Sequence, residues 1–361
     1  MKLTLQIKLL STEEQSKFLL NTIKEANKAC NIISDIAWDK QIFNQFKLHH
    51  ECYHLIRNCI KLSAEIVIRC ISKVADSYKI NKKVKSVFKP LGGITYDSRI
   101  LSYRPNNIIS IWTTEGRIKI PFVCHNTKYL PYIKGEADLV FKKDKYYIFQ
   151  TVEVPEDKIT NVEEFIGCDF GQTDIVSLSD RTNYNSKQLK EIRKKYSKIR
   201  TSVQSKGTKG SKKLLKRLSG REHRFVTITN HTISKQIIQK AKEENKGIAI
   251  EDLTYIRRTA KPKSRQQKTE LNRWSFYQLR NFLTYKSKLN GVPLIIVPPA
   301  YTSQMCNNCF HIGDRNGKYF RCKNCGNIGD ADVNAARNIA TWGCIVNQPE
   351  KSSMLSCTLH V

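Results

Sequence analysis

Two kinds of residue in this sequence are spaced for chemistry. Cys306 and Cys309 form one CxxC pair and Cys322 and Cys325 a second, with twelve residues between the pairs. A CxxC turn directs two thiolates inward on a tight knuckle. Two knuckles close a tetrahedral four-sulfur Zn²⁺ site with no open position, which predicts structural rather than catalytic zinc. Four free thiols would leave the Gly and Asn residues after the knuckles unexplained. A redox role is disfavoured because thioredoxin-like folds carry one CxxC. The intervening FHIGDRNGKYFR is long enough for a short ribbon hairpin, with His311 on its surface.

The second kind is acidic. Asp169 lies in the apolar run IGCDFG, Glu251 in GIAIEDL, and Asp332 at the start of the helical segment DADVNAARNIA. Each also fits an ordinary role: Asp169 as a turn cap before Gly171, Glu251 as a strand-end acid beside a more interesting Asp252, Asp332 as a helix cap. An acid in an apolar strand is costly unless paired or coordinated. Three gathered acids repel and raise one another's pKa. A divalent cation relieves that repulsion, and Mg²⁺ takes oxygen ligands while keeping positions for water and phosphate. Two such ions, about 3.5–4 Å apart, suit phosphodiester cleavage. Sequence leaves Asp330 and Asp332 unseparated as metal ligand and helix cap.

The elements that must position these groups fall into two halves. Residues 2–10 alternate like a strand, STEEQ offers a capping-box start at Ser11, and helical patterning runs to about Trp38. A second helical stretch covers roughly His49–Tyr78. From Phe88 to Val154 short β-rich runs follow, with a hairpin turning at Lys143–Asp144. The N-terminal half therefore reads as a strand-built barrel or platform interrupted by a helical insert. From about Glu163 the order becomes strand–strand–helix–strand–helix–strand–helix. The stretch 257–273, RRTAKPKSRQQKTELNR, is basic and apolar-poor and reads as a loop, and the tail after Trp342 carries no pattern.

Charge narrows the partners. Sixty-two Lys+Arg against thirty-two Asp+Glu give a formal +30, which favours a polyanion, nucleic acid first. Residues 186–224 concentrate this charge with almost one sign, a pattern for phosphate contact. No run of eighteen apolar residues exists, so no membrane span is expected. The N-terminus lacks a signal-peptide pattern, and an intracellular, reducing compartment is expected. There the eight cysteines outside the pairs (Cys30, Cys52, Cys59, Cys70, Cys124, Cys168, Cys344, Cys357) read as small buried hydrophobes.

At these residues the chain resembles the TnpB family of transposon-encoded RNA-guided nucleases, relatives of Fanzor proteins and type V CRISPR effectors. The likeness rests on GCDFGQTDIVSLS, IAIEDL and DADVNAARNIA as three RuvC segments, on TSQMCNNC and CKNCG as a zinc ribbon, and on WSFYQLRNFLTYKS as the helix before it. It covers about residues 165–341 by motif; the N-terminal half matches only in texture.

The resemblance implies a multidomain α+β chain. A β-barrel-like wedge domain (1–10 and 85–162) would hold a helical recognition insert (11–84). An RNase H-like RuvC nuclease domain (163–301 and 329–341) would carry an inserted zinc ribbon (302–328), followed by a tail (342–361). It also implies Asp169, Glu251 and Asp332 as catalytic ligands of two Mg²⁺ ions, with Mn²⁺ as a substitute. Cys306, Cys309, Cys322 and Cys325 would hold structural Zn²⁺.

Implied partners are a guide RNA and target double-stranded DNA, with one protein per RNA, no membrane and a cytoplasmic, nucleoid-associated location. Base pairing would read sequence, while the protein reads a short flanking motif. The implied activity is RNA-guided DNA cleavage leaving a 5′-phosphate and a 3′-hydroxyl. Alternatives are an RNA-guided binding regulator without cleavage and a guide-free transposase or nuclease. Lys194, Lys195, Lys212, Lys213, Arg217, Arg221, Arg257 and Arg258 are the candidate nucleic-acid contacts. Trp274, Phe276 and Tyr277 are available for stacking or core packing. The sequence assigns no reader of the motif: Tyr53, Arg57, Tyr78 and Lys82 are candidates by location alone, and each also fits an ordinary surface residue.

Overall fold

A computed structural model describes residues 1–262 and 264–347. Two compact units make up the chain, Met1–Pro155 and a second beginning at Glu156.

The first unit opens with β1 (Lys2–Leu9), α1 (Glu13–Asp39), α2 (Gln45–Cys59) and α3 (Ala64–Ile80). It continues through β2 (Ile94–Tyr96), β3 (Leu101–Arg104), β4 (Ile108–Thr113), β5 (Gly116–Cys124), β6 (Ile133–Lys142) and β7 (Lys145–Glu153). The strands form one antiparallel sheet in the order β2-β6-β7-β1-β5-β4-β3. It curls nearly into a barrel. The Tyr103 hydroxyl on β3 donates to Gln150 Oε1 on β7 at 2.9 Å, and the Tyr96 hydroxyl on β2 donates to the Trp112 carbonyl on β4 at 2.9 Å. The expected β6–β7 hairpin is present. Lys143 and Asp144 both take positive φ, 52° and 57°, the pairing of a two-residue turn matched to strand twist.

Three local expectations are corrected here. The cap of α1 is Thr12, not Ser11: Thr12 Oγ1 accepts from the Gln15 N–H, and Gln15 Oε1 accepts from the Thr12 N–H. Ser11 instead shares a hydroxyl contact with Ser16. The second helical stretch is two helices, broken at extended Ile60 and restarted by Ser63 as N-cap. Periodicity hides the break because Ile60 and Leu62 are themselves buried. Tyr78 is fully buried with its hydroxyl on Ser34, so it packs the core and reads nothing.

The second unit runs β8 (Phe165–Asp169), β9 (Asp174–Leu178), β10 (Asn183–Asn185), α4 (Lys187–Ser205), α5 (Lys209–Glu243), β11 (Gly247–Glu251), α6 (Ile256–Thr259), α7 (Arg265–Arg273), α8 (Phe276–Leu289) and β12 (Leu294–Val297). It ends in β13 (Asp314–Asn316), β14 (Tyr319–Arg321), β15 (Ile328–Asp330) and α9 (Ala331–Asn347). Its main sheet has the order β10-β9-β8-β11-β12, with β8, β11 and β12 parallel. Parallel strands covered on both faces read as continuous apolar runs, as GIAI and FIGC do. On one face Ile166, Cys168, Ile248 and Ile250 pack with Ile237 and Leu283 of α5 and α8. On the other, Phe165 and Ala249 pack with Ile339 of α9.

The stretch 257–273 is not a plain loop: it contains α6 and α7, the latter capped by Ser264 Oγ accepting from the Gln267 N–H at 3.1 Å. Its low apolar content misleads because α7 is a surface helix that buries only Leu271 among its described side chains. Helix α9 runs on to Asn347 rather than stopping near 341, and Trp342 packs on the core. Residues 348–361, with Cys357, lie outside the described residues. Cys30, Cys52, Cys70 and Cys168 are buried as expected, whereas Cys59 is exposed and Cys124 and Cys344 are partly so. Among the described residues no helix is long and apolar enough to cross a membrane.

Candidate functional site

Asp169 and Glu251 end neighbouring parallel strands. The register pairs Gly247 with Phe165 and Ile250 with Cys168, so its next step sets Glu251 beside Asp169, at a strand spacing of about 4.8 Å. Side chains alternate faces along a strand. Phe165 and Ala249 face α9, so Asp169 and Glu251 face the same side. Helix α9 lies hard against that side: a Cβ on Gly167 would sit 1.8 Å from the Ala336 carbonyl oxygen. The first turn of α9 supplies Asp332.

The structure separates the two aspartates that sequence could not. Asp330 Oδ1 accepts the N–H groups of Asp332 and Val333 at 2.9 and 3.0 Å and so caps the helix. The Asp332 carboxylate is turned to charge, 2.8 Å from Arg315 Nη2 and 3.9 Å from Lys318 Nζ. Asp252 is outside this group. It ion-pairs with Arg280 at 2.8 Å and is held low by its Thr254 hydroxyl bond.

Burial perturbs all three acids, and at Asp169 the charges of the other two add to it. Burial, then the Glu251 and Asp332 charges, push Asp169 up to about 7, against partial relief from Arg315. Burial raises Glu251, offset by the Thr302 hydroxyl and Arg315. Burial also raises Asp332, opposed by Arg315. Such groups, all oxygen donors at one end of a sheet, fit a divalent cation.

Four partners here were missed by sequence reasoning. Arg315 and Lys318 belong to the hairpin between the cysteine pairs. Strand β14 pairs with β15 so that Tyr319 faces Asp330, and the Ala331 N–H donates to the Lys318 carbonyl at 2.8 Å, which brings the hairpin to the start of α9. Lys318 also ion-pairs with the buried Asp174 of β9, and the buried Thr302 hydroxyl donates to Glu251 Oε1. The available signal was Asp174 among apolar neighbours in TDIVSL; nothing local marks Arg315.

The four cysteines do converge. Their sulfurs lie within 4.8 Å of one another, with Cys306–Cys325 at 3.7 Å and Cys309–Cys322 at 3.5 Å. A tetrahedron with Zn–S bonds of about 2.3 Å requires edges of about 3.8 Å, so the donor set fits zinc. The side chains of Asn327 and Asn324 donate to Cys306 and Cys309 sulfurs at 3.5 and 3.6 Å. Burial pushes the Cys309 thiol up, but the His311 N–H, Asn324 and neighbouring sulfurs outweigh it and hold it at about 6. His311 is exposed, as expected. Among the described residues this is the one group gathered tightly enough to hold an ion as it stands.

Two asparagines one turn apart tie this module to α9. Asn334 donates to the Met305 carbonyl at 2.7 Å and accepts the Asn307 N–H at 2.9 Å. Asn338 donates to the Thr302 and Met305 carbonyls at 2.8 and 2.6 Å. The helix that carries Asp332 thus also holds the first cysteine knuckle and Thr302.

Of the basic candidates, Lys194 and Lys195 lie exposed on α4, Lys212, Lys213, Arg217 and Arg221 on α5, and Arg257 and Arg258 on α6. Arg257 is engaged with the Trp274 carbonyl at 3.0 Å. Phe276 is core, Trp274 packs partly against the core, and Tyr277 is exposed. In the first unit Tyr53 is partly exposed, and Arg57 and Lys82 are exposed.

The chain has a Cas12f1-like multidomain α+β fold. Residues 276–339 match the family model described as "Cas12f1-like, TNB domain", and residues 149–260 match one described as "Probable transposase". A TnpB-like protein of Methanocaldococcus jannaschii is 34% identical over 236 residues, 61% of this chain and 84% of that one. The chain belongs to the TnpB-like family. The CRISPR-associated endodeoxyribonuclease Cas12f1 of Sulfoacidibacillus thermotolerans is 30% identical over 220 residues; the match covers 55% of this chain and half of that relative's length. The solved Cas12f1–sgRNA–target DNA complex shares the fold with a TM-score of 0.63 at 16% identity, covering 91% of this chain and 83% of that one.

Proposed function

We propose that the protein is an RNA-guided DNA endonuclease with one cleavage site, built from Asp169, Glu251 and Asp332. The observation that carries this is the placing of buried Glu251 and half-buried Asp169, at neighbouring strand ends, with half-buried Asp332 at a helix start, Asp169 being pushed to about 7. We read the five-stranded sheet with α9 as an RNase H-like RuvC nuclease and residues 302–328 as its zinc ribbon. The barrel strands and α1–α3 are read as wedge and recognition parts, holding guide RNA and a flanking motif. The likeness to named endodeoxyribonucleases and the net charge of +30 support a nucleic-acid substrate.

Asp169, Glu251 and Asp332 would hold Mg²⁺, which supplies an activated water and stabilises the leaving oxygen. The chain's own groups set the rest. Thr302 fixes one Glu251 oxygen, Asp330 fixes the helix that aims Asp332, and Arg315 balances the acids. Cys306, Cys309, Cys322 and Cys325 would hold the zinc that closes the ribbon carrying Arg315 and Lys318.

The test is purification with the co-expressed RNA and incubation with a matched plasmid and Mg²⁺, beside Asp169→Ala. The expected result is RNA-dependent cutting by the wild type and none by the variant. Cutting without RNA would overturn the guided mechanism, binding without cutting would leave a regulator, and joining of DNA ends would indicate a transposase.

A further inference from the structure

A cavity of about 710 Å³ lies between α4 and α7 of the second unit, apart from the carboxylates. Its size is that of a small-molecule site. Six cations line it, Lys190, Arg193, Lys194, Lys198, Arg265 and Arg273, against one carboxylate, Glu270. The wall also includes Ile175, Leu189 and Trp274, which belong to or pack on the core. A cationic rim over an aromatic and apolar wall is the chemistry that takes a base and its phosphate.

Arg193 is the most telling side chain. It is largely buried, its Nη2 donates to the Arg273 carbonyl at 2.6 Å, and its Nε makes no hydrogen bond, with Glu222 Oε1 at 4.0 Å. Burial lowers its pKa, Glu222 offsets part of this, and the neighbouring Arg273 charge lowers it further. Two guanidinium groups that repel at the mouth of a cleft are relieved by an anion. The cleft also has a direction. Gly171 and Gln172 line it, and Gly171 follows Asp169 by two residues, so their Cα atoms lie at most about 7.6 Å apart.

We propose that this cavity receives one unpaired nucleotide of a single strand, its base against Trp274 and its phosphate between Arg193 and Arg273. It thereby anchors the strand beside the turn that follows Asp169. This rests on the nucleic-acid reading above but needs no cleavage.

The test measures binding of fluorescent dT8 and U8, with and without a central abasic position, to the zinc-loaded full chain in magnesium-free buffer. Arg193→Gln with Arg273→Gln is expected to weaken binding about tenfold and to lower the salt slope by about 0.7, the share of one phosphate on a single strand. Trp274→Leu is expected to lose about tenfold of the preference for a base over the abasic position. Ser197→Trp fills the cleft from a partly exposed position, away from the core, and should weaken binding even if the other variants fold poorly. A difference between dT8 and U8 assigns the strand as DNA or RNA. Wild-type affinity and salt slope in both the double arginine variant and Ser197→Trp would overturn the cavity as the site. No oligonucleotide binding by the wild type would instead remove the nucleic-acid reading.

Discussion

The cysteine cluster and the carboxylate cluster, both in the second unit, answer electrostatic strain in opposite ways. The cysteines meet with edges already near those of a zinc tetrahedron, and local N–H donors stabilise the thiolates of Cys306 and Cys309. The carboxylates meet at a cost, each raised by burial, with Arg315 and Lys318 drawn in as counter-charges. A closed sulfur set contributes to folding, because zinc binding energy is folding energy. The acid set works against folding until a cation arrives. One cluster is suited to add stability and the other is a liability that the proposed chemistry would explain.

Substitutions can break or sharpen this contrast. The largest expected effect is Asp169→Asn on cleavage, a loss on the order of 10³-fold or more in Mg²⁺, read as initial cutting rate. Gly167→Ala comes next. The new methyl meets the backbone of α9 and shifts Asp332, so cutting should fall on the order of 10²-fold while zinc content stays normal. Cys322→Ser should cost roughly 10–100-fold in cutting and release zinc, measured by metal analysis beside the cleavage assay. If it cut normally, the ribbon would be independent of the acids.

The smaller effects concern stability and pH. Asp169 has a folded-state pKa near 7, above the unfolded value of about 4, so the folded chain keeps its proton longer. The group therefore costs nothing below about pH 4, and its cost is complete above about pH 7. Asp169→Asn should raise the magnesium-free melting midpoint at pH 8 by roughly 5 °C and leave it unchanged at pH 4, whereas Cys322→Ser lowers it at both. Equal shifts at the two pH values would remove the liability. Arg315→Gln should be the mildest. Removing a charge that lowers all three acids raises their pKa, so Mg²⁺-dependent cutting should drop about threefold near pH 6.5 and little at pH 8.5.

How much could be read in the sequence depends on the range of the interaction. The cysteine pairs are legible because a knuckle is four residues of local geometry. Asp169 and Glu251 are legible because apolar strand runs end at them, and the Lys143–Asp144 turn because its chemistry is local. Arg315 and Lys318 were invisible, since their place follows from β14 pairing with β15 and folding back on α9. Asp330 and Asp332 were inseparable because both suit a helix start; only the hydrogen-bond directions of the cap tell them apart. The break at Ile60 escaped because the breaking residues are as apolar as their neighbours.

The ribbon lies between Glu251 and Asp332 in the chain, and α9 clamps its first knuckle through Asn334 and Asn338. A ribosome therefore makes the two sheet acids first, then the cysteine module, and the third acid last. All five strands of the main sheet are made while the chain still lacks Asp332. On the proposed function, cutting competence would thus be deferred to the end of synthesis of this unit, after the cysteine knuckles have left the ribosome.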